Sequence, residues 1–276
     1  MARPDSYMLD VGRDAADRLT LLNQIYGPFT RAFLSDCGLR PGMTVLDVGC
    51  GTGPVAAWIA TQVAPDGHVV GVDVSEEQLG VARQHAAERG LANVTFRVLS
   101  AEALGAVGEQ FDLVYSRFLL VHLERPELAL REMLACVKPG GVLASDEQEL
   151  AAACCVPDSG AFSRSVDLVY QLARAKNLNF DYGSSTFGTF RALGCQDVSL
   201  RVVQPALTTM QTKRLWPQFF VEARASIVDS GLVSAAELDD IIDGIEAIAA
   251  DDDYAILAMR NHQVSGRRPV PGGPRP

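Results

Sequence analysis

Apolar residues fall along the chain in two alternating rhythms. Short runs rich in valine, isoleucine, leucine and aromatics stand at Val45–Val48, His68–Val72, Val94–Val98, Phe111–Tyr115 and Gly141–Ser145. Between them, apolar positions recur at three- and four-residue spacing: Asp14 to about Cys37, Val55–Val63, Ser75–Arg89 and Pro126–Cys136. The short runs predict buried strands and the 3.6-residue period predicts helices. Local signals agree. Ser75 is an N-cap with Glu76 and Glu77 in the first turn behind it. Pro126 sits near a helix start, and Pro28 is expected to kink or divide the first helical segment. Turns fall at Pro41–Met43 and Lys138–Gly141. Strands alternating with helices, and apolar on both faces, predict a parallel sheet covered on both sides with right-handed connections. This is an open, doubly wound α/β sheet over roughly residues 40 to 146.

The pattern loosens beyond residue 150. Ser159–Ala175 and Ser184–Leu193 read as helices, and Asp197–Val203 alternates as a half-exposed strand does. Thr212–Ser230 and Ala235–Ala250 read as two amphipathic helices, the second capped by Ser234. Tyr254–Val264 reads as one last strand. The expected organisation is an N-terminal helical cap (1–40), a nucleotide-binding core (41–150), cap helices with the last strands (151–266) and a Pro/Gly/Arg-rich flexible tail (267–276).

Composition narrows the partners. The chain has 276 residues, 48% of them hydrophobic, and a formal net charge of −10. Lysine and arginine form no block before Arg267 and Arg268. A phosphate backbone or an anionic bilayer is therefore a poor partner, and a small molecule is the expected one. The six cysteines lack C-x-x-C spacing, and the adjacent Cys154 and Cys155 suit neither a disulfide nor a zinc knuckle. No metal site is expected. Reduced thiols, the absence of an apolar leader and of a membrane-length run predict a cytoplasmic protein, monomeric or homodimeric.

Chemistry concentrates at Gly49-Cys50-Gly51-Thr52-Gly53, between the first strand and the next helix. Glycines there let the backbone turn sharply and let a ligand approach the main chain. Asp73, about 20 residues further on and ending the next strand, is placed as a ribose-binding carboxylate. A nicotinamide site would share both features. Its loop, however, is G-x-G-x-x-G, meeting a pyrophosphate, whereas here the loop is G-x-G-x-G with Asp47 just before it. A carboxylate repels a pyrophosphate and favours an ammonium.

With VLDVGCGTG, GVDVS, LSAEAL, FDLVYSRFLLVHL and VKPGG in this order, residues 42 to 146 resemble the class I S-adenosylmethionine-dependent methyltransferases. The C-terminal half resembles their UbiE/menaquinone-type and secondary-metabolite small-molecule branch. The resemblance implies the seven-stranded Rossmann-like fold of that class, with helical N- and C-terminal caps, and S-adenosylmethionine as cofactor, released as S-adenosylhomocysteine. It implies that Gly49, Gly51 and Gly53 form the cofactor loop, that Asp47 holds the amino group and that Asp73 takes the ribose. Val74 would pack on adenine, with Ser100 and Ala101 at its edge. Ser100 departs from the family's usual acid, so a neutral hydroxyl stands where a charge is common. Arg117 would border the methionine end and the acceptor. On the N-terminal helix Tyr7, Arg18 and Gln24 match residues that close over the cofactor, although Arg18 also reads as an ordinary solvated position.

His122 and Glu147 are the candidate bases, since both follow strands at the edge where ligands bind in such sheets. His122 among leucines equally reads as a structural histidine, and Glu147 as a capping or exposed group. Asp146, Glu147 and Asp158 do not make a convincing metal cluster. Phe162, Tyr170, Phe180 and Tyr182 are expected to cap an apolar acceptor, with Met210, Trp216, Phe219 and Phe220 as further contributors or core. The expected reaction is methyl transfer to oxygen or nitrogen of a small, specialised metabolite. Carbon methylation of quinone type, a rearrangement assisted by bound cofactor, and a non-catalytic binding module remain open alternatives.

Overall fold

The computed structural model describes residues 13–272, and side chains from Arg18 onward. Helix α1 (Arg13–Asp36) precedes an alternating core. The core comprises β1 (Thr44–Val48), α2 (Pro54–Val63), β2 (His68–Asp73), α3 (Glu76–Glu88), β3 (Val94–Val98), β4 (Phe111–Arg117), α4 (Pro126–Cys136) and β5 (Val137–Glu149). There follow β6 (Cys154–Val156), α5 (Gly160–Ala175), α6 (Gly183–Ala192), β7 (Gln196–Val203), β8 (Ala206–Leu207), α7 (Met210–Lys213), α8 (Leu215–Glu222), α9 (Arg224–Asp229), α10 (Ala235–Ala250), β9 (Ala255–Leu257) and β10 (Arg260–Arg267).

Seven strands form one sheet in the order β3-β2-β1-β4-β5-β10-β7. The first five are parallel, and β10 runs antiparallel between β5 and β7. Strand order reverses between β1 and β4, so a crevice opens beyond their carboxyl ends. The glycine loop leaves β1 there, and the segment carrying His122 leaves β4. A second sheet, β6-β9-β8, lies beyond.

Alternation along the buried strands splits the core in two. Leu46, Val48, Val70, Val72 and Val114 belong to one apolar cluster, and Val45, Val69, Leu113 and Tyr115 to the other. Neighbouring side chains on a strand point to opposite faces, which fixes this division.

Four expectations are corrected. Pro28 does not divide α1, which is one helix of 24 residues. Its two halves are anchored separately, Leu21, Leu22 and Tyr26 in one cluster and Phe33 and Leu34 in the other. One missing amide bond does not outweigh two buried anchors. Thr212–Ser230 is three short helices rather than one, with Pro217 near the start of α8, where its missing N–H is tolerated. The last strand is two, β9 in the small sheet and β10 in the large. The tail also begins later than expected. Arg267 ends β10, and the amide of Arg268 donates to the Gly141 carbonyl at 2.9 Å. Among the described residues no helix is long and apolar enough to cross a membrane.

Candidate active site

The crevice between β1 and β4 holds a cavity of about 450 Å³. Of the residues expected at the cofactor, Asp47, Gly49, Gly51, Asp73, Val74, Ser100, Ala101, Arg117 and Arg18 all line it. Tyr7 lies outside the described residues. Gln24 is exposed on α1 and does not line the cavity. One position earlier, Asn23 accepts a bond from Arg117 at 3.2 Å, so the helix turns Asn23 rather than Gln24 to the site. Gly53 also lies outside the lining. A Cβ there would stand 2.8 Å from that of Ala82, so this glycine lets α2 and α3 pack closely.

The loop conformation needs its glycines. Gly49, Gly51 and Gly53 all have positive φ, at 71°, 54° and 78°. Gly49 additionally packs against Leu119, whose Cδ1 would lie 2.9 Å from an added Cβ. Gly49→Ala should therefore lose about 1–2 kcal/mol for the left-handed backbone and about 1–3 kcal/mol for the collision. Thermal melting should show a transition lowered by several degrees; an unchanged transition would contradict the packing described.

Asp73 stabilises the loop before any ligand arrives. Oδ2 accepts the Gly51 amide at 2.9 Å and Oδ1 the Ser75 amide at 3.0 Å. Each oxygen keeps a second lone pair for a ribose hydroxyl. Burial raises the Asp73 pKa, and the amides of Ser75, Gly51 and Val74 oppose that rise. Val74 is 48% exposed beside it, an apolar surface of the kind a flat base covers. Ser100 Oγ accepts the Glu102 amide at 3.2 Å, so its oxygen is already engaged in a local turn.

Asp47 lies deeper, 3% exposed, and its Oδ2 has no hydrogen-bond partner among the described residues. Burial pushes its pKa up to about 7, with Arg117 opposing and Asp73 adding to the rise. A buried carboxyl with an unused oxygen facing a cavity is suited to an ammonium. The donor set thus fits the cofactor expected from the sequence: carboxylate for ribose, carboxylate for ammonium, apolar surface for adenine.

Arg18 is not a solvated position. It is 8% exposed and donates Nε to Glu222 of α8 at 2.7 Å. Together with Tyr26, whose hydroxyl donates to the Met259 carbonyl at 2.9 Å, it fastens α1 over the crevice. Arg117 completes the fastening through Thr30 at 3.1 Å.

A second cavity of about 80 Å³ adjoins the first, and Arg18, Leu22, Phe118 and His122 line both. Its remaining walls are apolar apart from Gln148: Leu150, Val169, Phe180, Leu207, Leu215, Trp216, Phe219, Ala258 and Met259. Phe180, Trp216 and Phe219 therefore line it as expected, whereas Phe162, Tyr170, Tyr182, Met210 and Phe220 do not. Phe162 packs on the Trp216 ring at 4.8 Å, and Tyr170 donates to Asp181.

His122 stands at the junction, its ring edge-on to Phe180 at 5.7 Å. Burial, and then the charge of Arg18, lower its pKa to about 4. It is neutral at physiological pH. Glu147 does not reach either cavity, because its side chain turns under the segment that follows β4. Its expected part as a base in contact with substrate is corrected. Gln78, Asn23, Leu119 and Gln148 line or brace the cavities and escape sequence reading. Only Gln78 had a signal, standing three residues after the Ser75 cap and so in the first helical turn facing the loop.

The order of strands and this donor set define a nucleotide-binding α/β enzyme fold of the methyltransferase class. A methyltransferase-domain family matches residues 39–184, more than half of the chain, and the protein belongs to that family. A ubiquinone biosynthesis O-methyltransferase of Sinorhizobium fredii is 37% identical over 102 residues, 37% of this chain and 40% of that protein. A ubiquinone/menaquinone biosynthesis C-methyltransferase UbiE of Ectopseudomonas mendocina is 41% identical over 107 residues, 38% of this chain and 42% of that protein. The matched segments thus span less than half of these curated relatives. The solved [4+2]-cyclase SpnF shares the fold, with a TM-score of 0.58 at 24% identity over 93% of this chain and 95% of that one.

Proposed function

We propose that the protein transfers a methyl group from S-adenosylmethionine to oxygen or nitrogen of a small, largely apolar molecule. One observation carries this reading: a cavity fitted for the cofactor opens, through Arg18, Leu22, Phe118 and His122, onto a smaller apolar chamber. Asp73 would hold the ribose, Asp47 the ammonium, and Val74 and Ala101 the adenine. The bound cofactor supplies an electrophilic methyl group on sulfur. The apolar chamber excludes water and fixes the acceptor's approach, and such alignment alone contributes roughly 7–11 kcal/mol. His122, neutral and at the junction, accepts the hydrogen bond of the acceptor's O–H or N–H. Its low basicity suffices, because that proton becomes strongly acidic as the acceptor atom gains the methyl carbon. The proton then passes to the imidazole.

Asp47 must be ionised to meet an ammonium, and its pKa in the empty site is about 7. Cofactor affinity should therefore rise with pH up to about 7, by about tenfold per unit well below it. It should level off until the cofactor's own amino group deprotonates near pH 8. Calorimetric titration between pH 5.5 and 7.5 should show this, and Asp47→Asn should bind more weakly with the slope removed. A wild-type affinity indifferent to pH would place the ammonium elsewhere.

The proposed activity is tested by incubation with S-adenosylmethionine and a panel of phenols, hydroquinols and aryl amines. S-adenosylhomocysteine should accumulate in step with an acceptor product 14 Da heavier, as replacement of H by CH₃ requires. A product formed without S-adenosylhomocysteine would support cofactor-assisted rearrangement instead.

A further inference from the structure

Near its carboxyl end strand β5 carries two adjacent carboxyls, Asp146 and Glu147, both fully buried and pointing to opposite faces. Asp146 is bonded through both oxygens. Its Oδ1 accepts Asn261 at 2.7 Å, and its Oδ2 accepts Thr30 and Gln263, each at 3.0 Å. Glu147 turns the other way. Its Oε1 accepts the Leu119 amide at 3.2 Å and the Ser116 hydroxyl at 3.5 Å, and its Oε2 is buried with no hydrogen-bond partner among the described residues. The Leu119 amide stands at the head of the short turn Leu120–His122, so this one bond ties the acid to the segment that carries His122.

The segment held this way is not relaxed. Phe118 has φ of 53°, in the left-handed region that side chains rarely adopt, and its amide donates to the Asp146 carbonyl at 3.1 Å. Leu119 is pressed against Gly49 on the other side. The turn is thus clamped between β5 and the glycine loop, and it delivers His122 to the junction of the two cavities.

We propose that Glu147 is a positioning residue: bonded to the Leu119 amide and the Ser116 hydroxyl, it sets where His122 meets the acceptor without touching acceptor or cofactor. This rests on the reading of the junction as the site of transfer. Burial pushes Glu147 up to about 8, with Asp146 adding to the rise and the amides opposing it. At neutral pH the carboxyl is therefore mostly protonated, and its carbonyl oxygen is the acceptor the turn uses. The titratable groups that act on it are Asp146, its neighbour on the strand, and Tyr182, just before α6. Glutamine reproduces the carbonyl oxygen; methionine fills the same length without it.

The experiment compares wild type, Glu147→Met and Glu147→Gln by kcat, S-adenosylhomocysteine affinity and the NMR signals of the His122 ring. Glu147→Met should lower kcat by about 10- to 100-fold, the scale of a misplaced catalytic group. Its S-adenosylhomocysteine affinity should stay near wild type while the His122 signals shift. Glu147→Gln should restore most of the lost rate and return the signals. If Glu147→Met fails to fold, wild type against Glu147→Gln decides. The wild-type His122 signals should step with a midpoint near pH 8, and the glutamine variant should show no step. Full activity in Glu147→Met, no rescue by glutamine, a step that persists in glutamine, or no step in either would overturn the proposal. A wrong assignment of the cofactor shows differently, as wild type that binds no S-adenosylhomocysteine. The NMR comparison reads the positioning even then.

Discussion

Asp73→Ala weakens S-adenosylmethionine binding by two orders of magnitude or more. The carboxylate would accept two ribose hydroxyls, each charge-assisted bond contributing about 1.5–3 kcal/mol. The side chain also holds the amides of Gly51 and Ser75, so its loss loosens the loop and removes the partner of two part-buried donors. Asp73→Asn separates the two effects. One amide oxygen can keep one backbone bond and one ribose bond, so the loss should fall between wild type and alanine. Isothermal titration of the three proteins provides the check. Affinity unchanged in the alanine variant would mean that the nucleoside lies elsewhere.

His122→Ala lowers kcat by about 10²-fold while cofactor affinity stays within a few-fold, since a positioned proton acceptor contributes on this scale. The imidazole borders both cavities, so the loss should fall on the chemical step. The pH profile sharpens the test. With its pKa lowered to about 4, His122 is already unprotonated at pH 6, so wild-type kcat should show no limb near 6.5 arising from it. A limb at 6.5 that vanishes in His122→Ala would show that the ring is more solvated than its surroundings indicate. Unchanged single-turnover rates in His122→Ala would remove it from the reaction.

The core was legible because its signals are local. Each βα unit carries an apolar run, a turn and a cap within about 30 residues, and Ser75 does cap α3 through the Gln78 amide. Asp47, Gly51 and Asp73 line the cavity because the loop and the strand ends position them with little help from distant chain. The errors came where long-range contacts decide. Arg18 looked solvated as readily as functional, and only Glu222, 204 residues away, settles it as buried. The choice of Asn23 over Gln24 is a matter of helix phase against Arg117, which the α1 sequence does not encode. Glu147 was placed at the right edge and given the wrong direction. Its strand neighbour Asp146 turns to α1 and β10, and alternation then sends Glu147 beneath the His122 turn. The chamber lining drew on α5, α8, β8 and the segment joining β9 to β10, elements brought together only by the tertiary fold.

The most direct test is a crystal structure with S-adenosylhomocysteine bound. The ribose hydroxyls should lie within hydrogen-bond reach of Asp73, the ammonium beside Asp47, and the sulfur should face the opening bordered by Phe118 and His122. A nucleoside away from Asp73, or a sulfur directed away from that opening and its apolar chamber, would contradict the account.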